Sequence, residues 1–104
     1  MRKLFTVTTR NGISETQGYF GESIIDVVEN NILAIGQRAG LGNAAGFKLS
    51  DARIVPAQSG KGSTLVLTGT GSQLAHTSEL GPQKTVHVDL PDADVTDHIF
   101  EIRS

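Results

Sequence analysis

The chain has 104 residues with 9 Lys and Arg against 11 Asp and Glu, so it has the length of one α+β-sized domain and lacks a nucleic-acid binder's basic excess. Hydrophobic residues make up 38% and charged residues 19%, a balance too apolar and too weakly charged for a disordered chain. Cysteine is absent, which removes disulfides, thiolate nucleophiles and Cys-type zinc sites together.

Met1-Arg2-Lys3 is a basic start, but Leu4 to Arg10 alternates apolar with hydroxyl residues and lacks the continuous apolar core of a signal peptide. Leu4 to Thr9 and Ser14 to Phe20 flank Asn11-Gly12, the hairpin signal in which a type I′ turn puts both central residues at positive φ. Two antiparallel strands follow from this, with Phe5 and Val7 on one face. The outer face carries Thr6, Thr8, Ser14 and Thr16, available to water or to a partner.

Ser23 with Asp26 approximates a capping box, and the spacing of Ile24, Ile25, Val28, Ile32 and Ile35 predicts a helix from Ser23 to Arg38. Acidic Glu22, Asp26 and Glu29 suit its start, Arg38 suits its end, and Gly36 or Gly40 is positioned to stop it. Ala39 to Gly46 reads as a loop. Phe47 to Val55, bulged near Ser50-Asp51, and Ser63 to Thr70 form a second hairpin across the turn-rich Pro56 to Gly62. Gly71 to Lys84 has no clear period and reads as a long loop, of the kind usually functional or disordered. Thr85 to Leu90 alternates with Val86, Val88 and Leu90 inward, Pro91 to Asp97 is an acidic turn, and His98 to Arg103 is a last strand. The order is ββαββββ, an α+β fold: a mainly antiparallel sheet, or a small curled barrel, with one amphipathic helix packed on one face.

Several patterns bear on chemistry. Gly40-Leu41-Gly42-Asn43-Ala44-Ala45 matches a dinucleotide fingerprint, but it follows a helix and precedes a strand, the reverse of what a pyrophosphate site needs. Ser59-Gly60-Lys61-Gly62-Ser63-Thr64 resembles a phosphate loop only superficially: Val55 stands where the first glycine belongs and no helix follows, so a hairpin tip is the better reading. His87 and Asp89 project to one face of one strand, and His98 on a neighbouring strand would complete a metal or catalytic set. Ser72 or Ser78 with His76 and Glu79 could be named as a triad, but no nucleophile elbow is present. Asp89, Asp92, Asp94 and Asp97 are candidate oxygen ligands for Ca²⁺, read here as a solvated acidic turn because the loop glycine and terminal Glu of an EF-hand are missing.

One helix covers one sheet face, which leaves the other face and an edge in need of water or a partner. The expected function is therefore a non-catalytic assembly or accessory module acting through protein–protein contacts. Its partner would be itself, as a homo-oligomer, or a larger assembly such as a virus-like particle that it decorates. Contact candidates are Thr6, Thr8, Ser14 and Thr16 of the hairpin with Gln73, His76 and Leu80 of the long loop. No cofactor, nucleic acid or membrane is expected, since apolar stretches fall far below the ~18 residues of a spanning helix, and the place of synthesis is read as the cytoplasm. The alternatives are a small-molecule or ion-binding protein, with its pocket between helix and sheet or at the Asp89 to Asp97 turn, and a small enzyme using His87 and Asp89.

Overall fold

The structure, a computed structural model, describes residues 1–42, 47–71, 83–94 and 97–102 of the chain. β1 (Lys3–Asn11) and β2 (Ile13–Gly21) pair antiparallel, with Phe5 opposite Tyr19 and Val7 opposite Gln17. The alternation of a pleated strand therefore sends Phe5, Val7 and Thr9 to one side and Thr6, Thr8, Ser14 and Thr16 to the other. Their turn departs from the expected type I′ geometry: Gly12 alone takes a positive φ, at 84°, and Asn11 stays on the negative side. Asn11 lies beside the helix end. A Cβ on Gly40 would stand 2.7 Å from Asn11 Oδ1, so the two pack in direct contact.

α1 (Ile24–Arg38) begins as the sequence requires: Ser23 is extended, with φ −152°, and its Oγ accepts the Asp26 N–H at 3.2 Å. Its end is a Schellman turn, in which Gly40 at φ 86° donates to the Gln37 carbonyl at 3.1 Å and Leu41 to the Gly36 carbonyl at 2.9 Å. Gly40 is thus the terminator. Gly36 has another purpose, lying inside the helix under the Phe47 ring, where a Cβ would collide with Cζ. In mid-helix Asn31 leaves helical geometry (φ −126°, ψ 18°) and its Nδ2 donates to the Val27 carbonyl at 2.8 Å, a side chain inserted into the ladder that kinks the axis. Ile24, Val27, Val28 and Ile35 are fully buried; Ile25 and Ile32 pack only partly. Val27 widens the stripe beyond its expected members.

β3 (Phe47–Pro56) and β4 (Ser63–Gly71) form the second hairpin, with the expected irregularity between Leu49 and Asp51, where Ser50 Oγ donates to the Thr68 carbonyl at 3.2 Å. β5 (Lys84–Leu90) inserts between β1 and β4. β6 is only His98–Ile99, shorter than the strand expected from His98 to Arg103. One further bond follows it in the same register, the Phe100 N–H donating to the Ala52 carbonyl at 2.9 Å, and Phe100 is buried.

All six strands join one open antiparallel sheet in the order β2-β1-β5-β4-β3-β6, not a curled barrel. The helix side of the sheet is the core, where Val7, Ile54, Leu65, Leu67, Val88 and Leu90 form one cluster with the buried residues of α1. The opposite side carries no described element.

Candidate functional site

Register decides what the open side of the sheet presents. Thr8, Asp89, Thr64 and Val55 are successive Cα partners across β1, β5, β4 and β3, so all four share that side. By the same alternation His87, Val66 and Arg53 form an adjacent row, and Thr85, Thr68 and Asp51 the next. β-branched threonine suits a pleated surface, and here its hydroxyls bond to one another: Thr8 Oγ1 with Thr16 Oγ1 at 2.9 Å, and Thr68 Oγ1 with Thr85 Oγ1 at 3.0 Å.

Four of the charges on this side form two pairs. Arg10 Nη2 meets Asp89 Oδ2 at 3.1 Å. Arg53 holds Asp51 in a two-point grip, Nε to Oδ2 at 2.9 Å and Nη2 to Oδ1 at 3.2 Å, a contact that raises the guanidinium pKa further above its usual value. Asp92, in the turn after β5, accepts both the Thr6 N–H at 3.0 Å and the Thr6 hydroxyl at 2.7 Å on one oxygen, so it ties that turn to β1. Thr6 is therefore spent inside the molecule, while Thr8, Ser14 and Thr16 share the outward face as expected.

Two depressions flank the sheet. On the open side a cleft of about 810 Å³ lies between β5 and the tip of the β3–β4 hairpin, and Arg10, Lys61, His87, Asp89 and Thr64 line it. Its tip is the Gly60-Lys61-Gly62 turn, with φ 83° and 70° at the two glycines. Gly62 is there because a Cβ would come within 2.5 Å of the Leu90 carbonyl, and this accounts for glycine where a phosphate loop carries a hydroxyl residue. The second depression, about 600 Å³, runs between α1 and β3 past Ile32, Leu33, Phe47, Leu49 and Phe100.

The structure brings His87 and Asp89 to one face but takes His98 away from them. His98 pairs with Ile54 on the core side of the sheet, on β6, three strands from β5, and sets its ring edgewise on Phe100 at 4.6 Å and 79°. The expected third ligand is excluded by strand order and by side. Of the four aspartates, Asp89 is engaged by Arg10 and Asp92 by Thr6, while Asp94 is exposed and Asp97 is exposed near Arg53. Among the described residues no three His, Asp or Glu side chains converge on one point. Gln73, His76 and Leu80, the alternatives Ser72, Ser78 and Glu79, and Asn43 to Ala45 lie outside the described residues.

Sequence reasoning missed an apolar pair. Leu4 and Phe20 are direct Cα partners on the open side and remain 54% and 64% exposed, beside Gly18, whose bare Cα leaves room for the Leu4 methyl. The expected turn hid it: counting back from a two-residue Asn11-Gly12 turn opposes Leu4 to Tyr19, and only the observed register, centred on Gly12, opposes it to Phe20. Among the described residues no helix is long and apolar enough to cross a membrane. Compared with family models, curated proteins and solved structures, the chain matches none.

Proposed function

We propose that this protein is a non-catalytic assembly or accessory module that binds other protein surfaces through the open side of its sheet. The observation that carries the reading is the pairing of that side's polar groups with each other: Thr8 with Thr16, Thr68 with Thr85, Arg10 with Asp89, Arg53 with Asp51. Burying an unpaired polar group costs free energy, and a surface whose donors and acceptors already satisfy one another loses less when a partner excludes water. Leu4 and Phe20 add apolar area on the same side. The finer form of the proposal is a small decoration or accessory component of a virus-like particle, made in the cytoplasm and seated on a lattice that repeats one contact many times.

The test is the native mass of the purified protein over a concentration series, alone and with L4S/F20S. Both side chains are more than half exposed, so their replacement should leave thermal stability nearly unchanged while weakening association about tenfold or more. A protein that stays monomeric and recovers no macromolecular partner from its native source would overturn the reading. A second reading, binding of an apolar small molecule, is favoured by the depression beside Ile32, Phe47 and Phe100. Mass spectrometry of the native protein for retained ligand separates the two.

A further inference from the structure

The two edges of the sheet are treated differently. β6, at one edge, is two residues long, and a short edge strand is a common guard against pairing with another chain. β2, at the other edge, runs nine residues from Ile13 to Gly21 and holds its register with β1 without a shift from end to end. It carries no proline, lysine or arginine, and its single charge, Glu15, is engaged by Arg38 of α1 at 3.4 Å. Shortness, a bulge, a proline and a lysine are all absent from β2, and its one charge, on the helix side, is neutralised by Arg38. Among the described residues no strand lies beyond it.

We infer that β2 pairs antiparallel with β2 of a second copy of this chain, about a two-fold axis at Gln17, to make one continuous sheet of two subunits. The inference rests on the assembly reading above and names its surface. A two-fold axis makes the contact self-complementary, and β2 has the sequence for it. Centring on Gln17 pairs all nine residues, setting Thr16 opposite Gly18, Glu15 opposite Tyr19 and Ser14 opposite Phe20. No like charges face each other in this register, whereas centring on Glu15 would oppose that carboxylate to itself. The axis stands perpendicular to the sheet, so the open sides of both copies, each with its Leu4 and Phe20, lie on the same surface of the joined sheet. The edge contact thereby doubles the face proposed to bind a larger assembly.

The register is tested by charge. Thr16 and Gly18 are both exposed on the open side, and the tightest contact of a Cβ at 18 is 3.1 Å to the Leu4 Cδ1 methyl, the movable end of a side chain. T16K/G18K would put two lysine pairs directly opposite across the axis, and T16K/G18E would put lysine opposite glutamate twice. Both variants lose the Thr8–Thr16 hydroxyl bond equally, so their comparison cancels that cost. Sedimentation velocity over a concentration series reads the result, with circular dichroism to show that both variants fold. A dimer of the unaltered chain, weakened about tenfold or more in T16K/G18K and restored in T16K/G18E, is the expected outcome. Association that persists unchanged in T16K/G18K overturns the β2 contact while leaving the assembly reading in place. Restoration failing in T16K/G18E overturns the Gln17 register. A chain that is monomeric throughout, yet is bound stoichiometrically by a purified partner, overturns the second copy as occupant, and a chain that is monomeric with no partner overturns both readings.

Discussion

Leu33 and Ile35 stand two residues apart on α1 and have the same number of side-chain carbons, yet the structure assigns them opposite fates. Ile35 is fully buried against the sheet, while Leu33 is 62% exposed at the rim of the groove beside β3. Truncating a buried isoleucine to alanine removes its transfer free energy and leaves a cavity, together about 2–5 kcal/mol, whereas a surface truncation usually stays within about 0.5 kcal/mol. Ile35→Ala is therefore expected to cost about 3 kcal/mol and Leu33→Ala at most a few tenths, partly offset by alanine's helix propensity. For a domain of this length about 3 kcal/mol corresponds to a Tm lower by roughly 12–20 °C. Val27→Ala should fall on the Ile35 side of the divide, at about 1–3 kcal/mol, because Val27 is 1% exposed. Urea unfolding followed by circular dichroism measures all three on one scale. Equal losses for Leu33→Ala and Ile35→Ala would refute the helix orientation, and with it the assignment of the opposite sheet side as open.

Gly71→Ala should destabilise by about 1–3 kcal/mol, because a Cβ at Gly71 would strike the Leu41 carbonyl at the helix end and must displace backbone, an overpacking cost larger than the strand propensity gained; thermal melting decides the sign. Asp92→Ala removes the acceptor of two Thr6 bonds in an exposed setting and should cost about 1 kcal/mol, read as faster amide exchange at Thr6. Millimolar Ca²⁺ should raise stability by less than about 0.4 kcal/mol, the value of RT ln 2, since Asp89 and Asp92 are already engaged; a saturable rise reversed by chelator and abolished by Asp92→Asn would say otherwise. Association should change little between low and moderate salt, because the net charge is only −2 and four of the open side's charges are matched as Arg10–Asp89 and Arg53–Asp51; steep weakening with salt would point to a charged partner site.

What the sequence made legible was local. Ser23 capped the helix because its hydroxyl needs only the N–H three residues on, and the bulge near Ser50-Asp51 broke an otherwise even alternation. The helix stripe was readable from spacing, and Val27, absent from the expected stripe, was equally readable because it stands three residues after Ile24, before the Asn31 kink. The hairpin turn departed from type I′ although Asn11 has the chemistry for one, and its side chain lies beside Gly40, twenty-nine positions away in the chain. Strand order was likewise invisible. β5 enters between β1 and β4, and that placement alone joins Asp89 to Arg10, Asp92 to Thr6 and separates His98 from His87.

That placement also bears on which function the open side can serve. A carboxylate that orients an imidazole for proton transfer must offer it an oxygen, and a carboxylate that cages a cation must offer oxygens to the metal. Asp89 offers its Oδ2 to Arg10, and Asp92 concentrates two donors on one oxygen. Both are arranged as struts between strands, with β1 fastened to β5 and to the turn beyond it. The direct β1–β5 register is brief, the Thr8–Asp89 pair, so these struts hold the β1–β2 hairpin in line with the rest of the sheet. A hairpin fixed there presents β2 as the free edge of the sheet, the position at which a strand is added. The polar residues that look like a reactive cluster in the sequence thus act as ties between strands, which is what the proposed recognition of another protein surface asks of them.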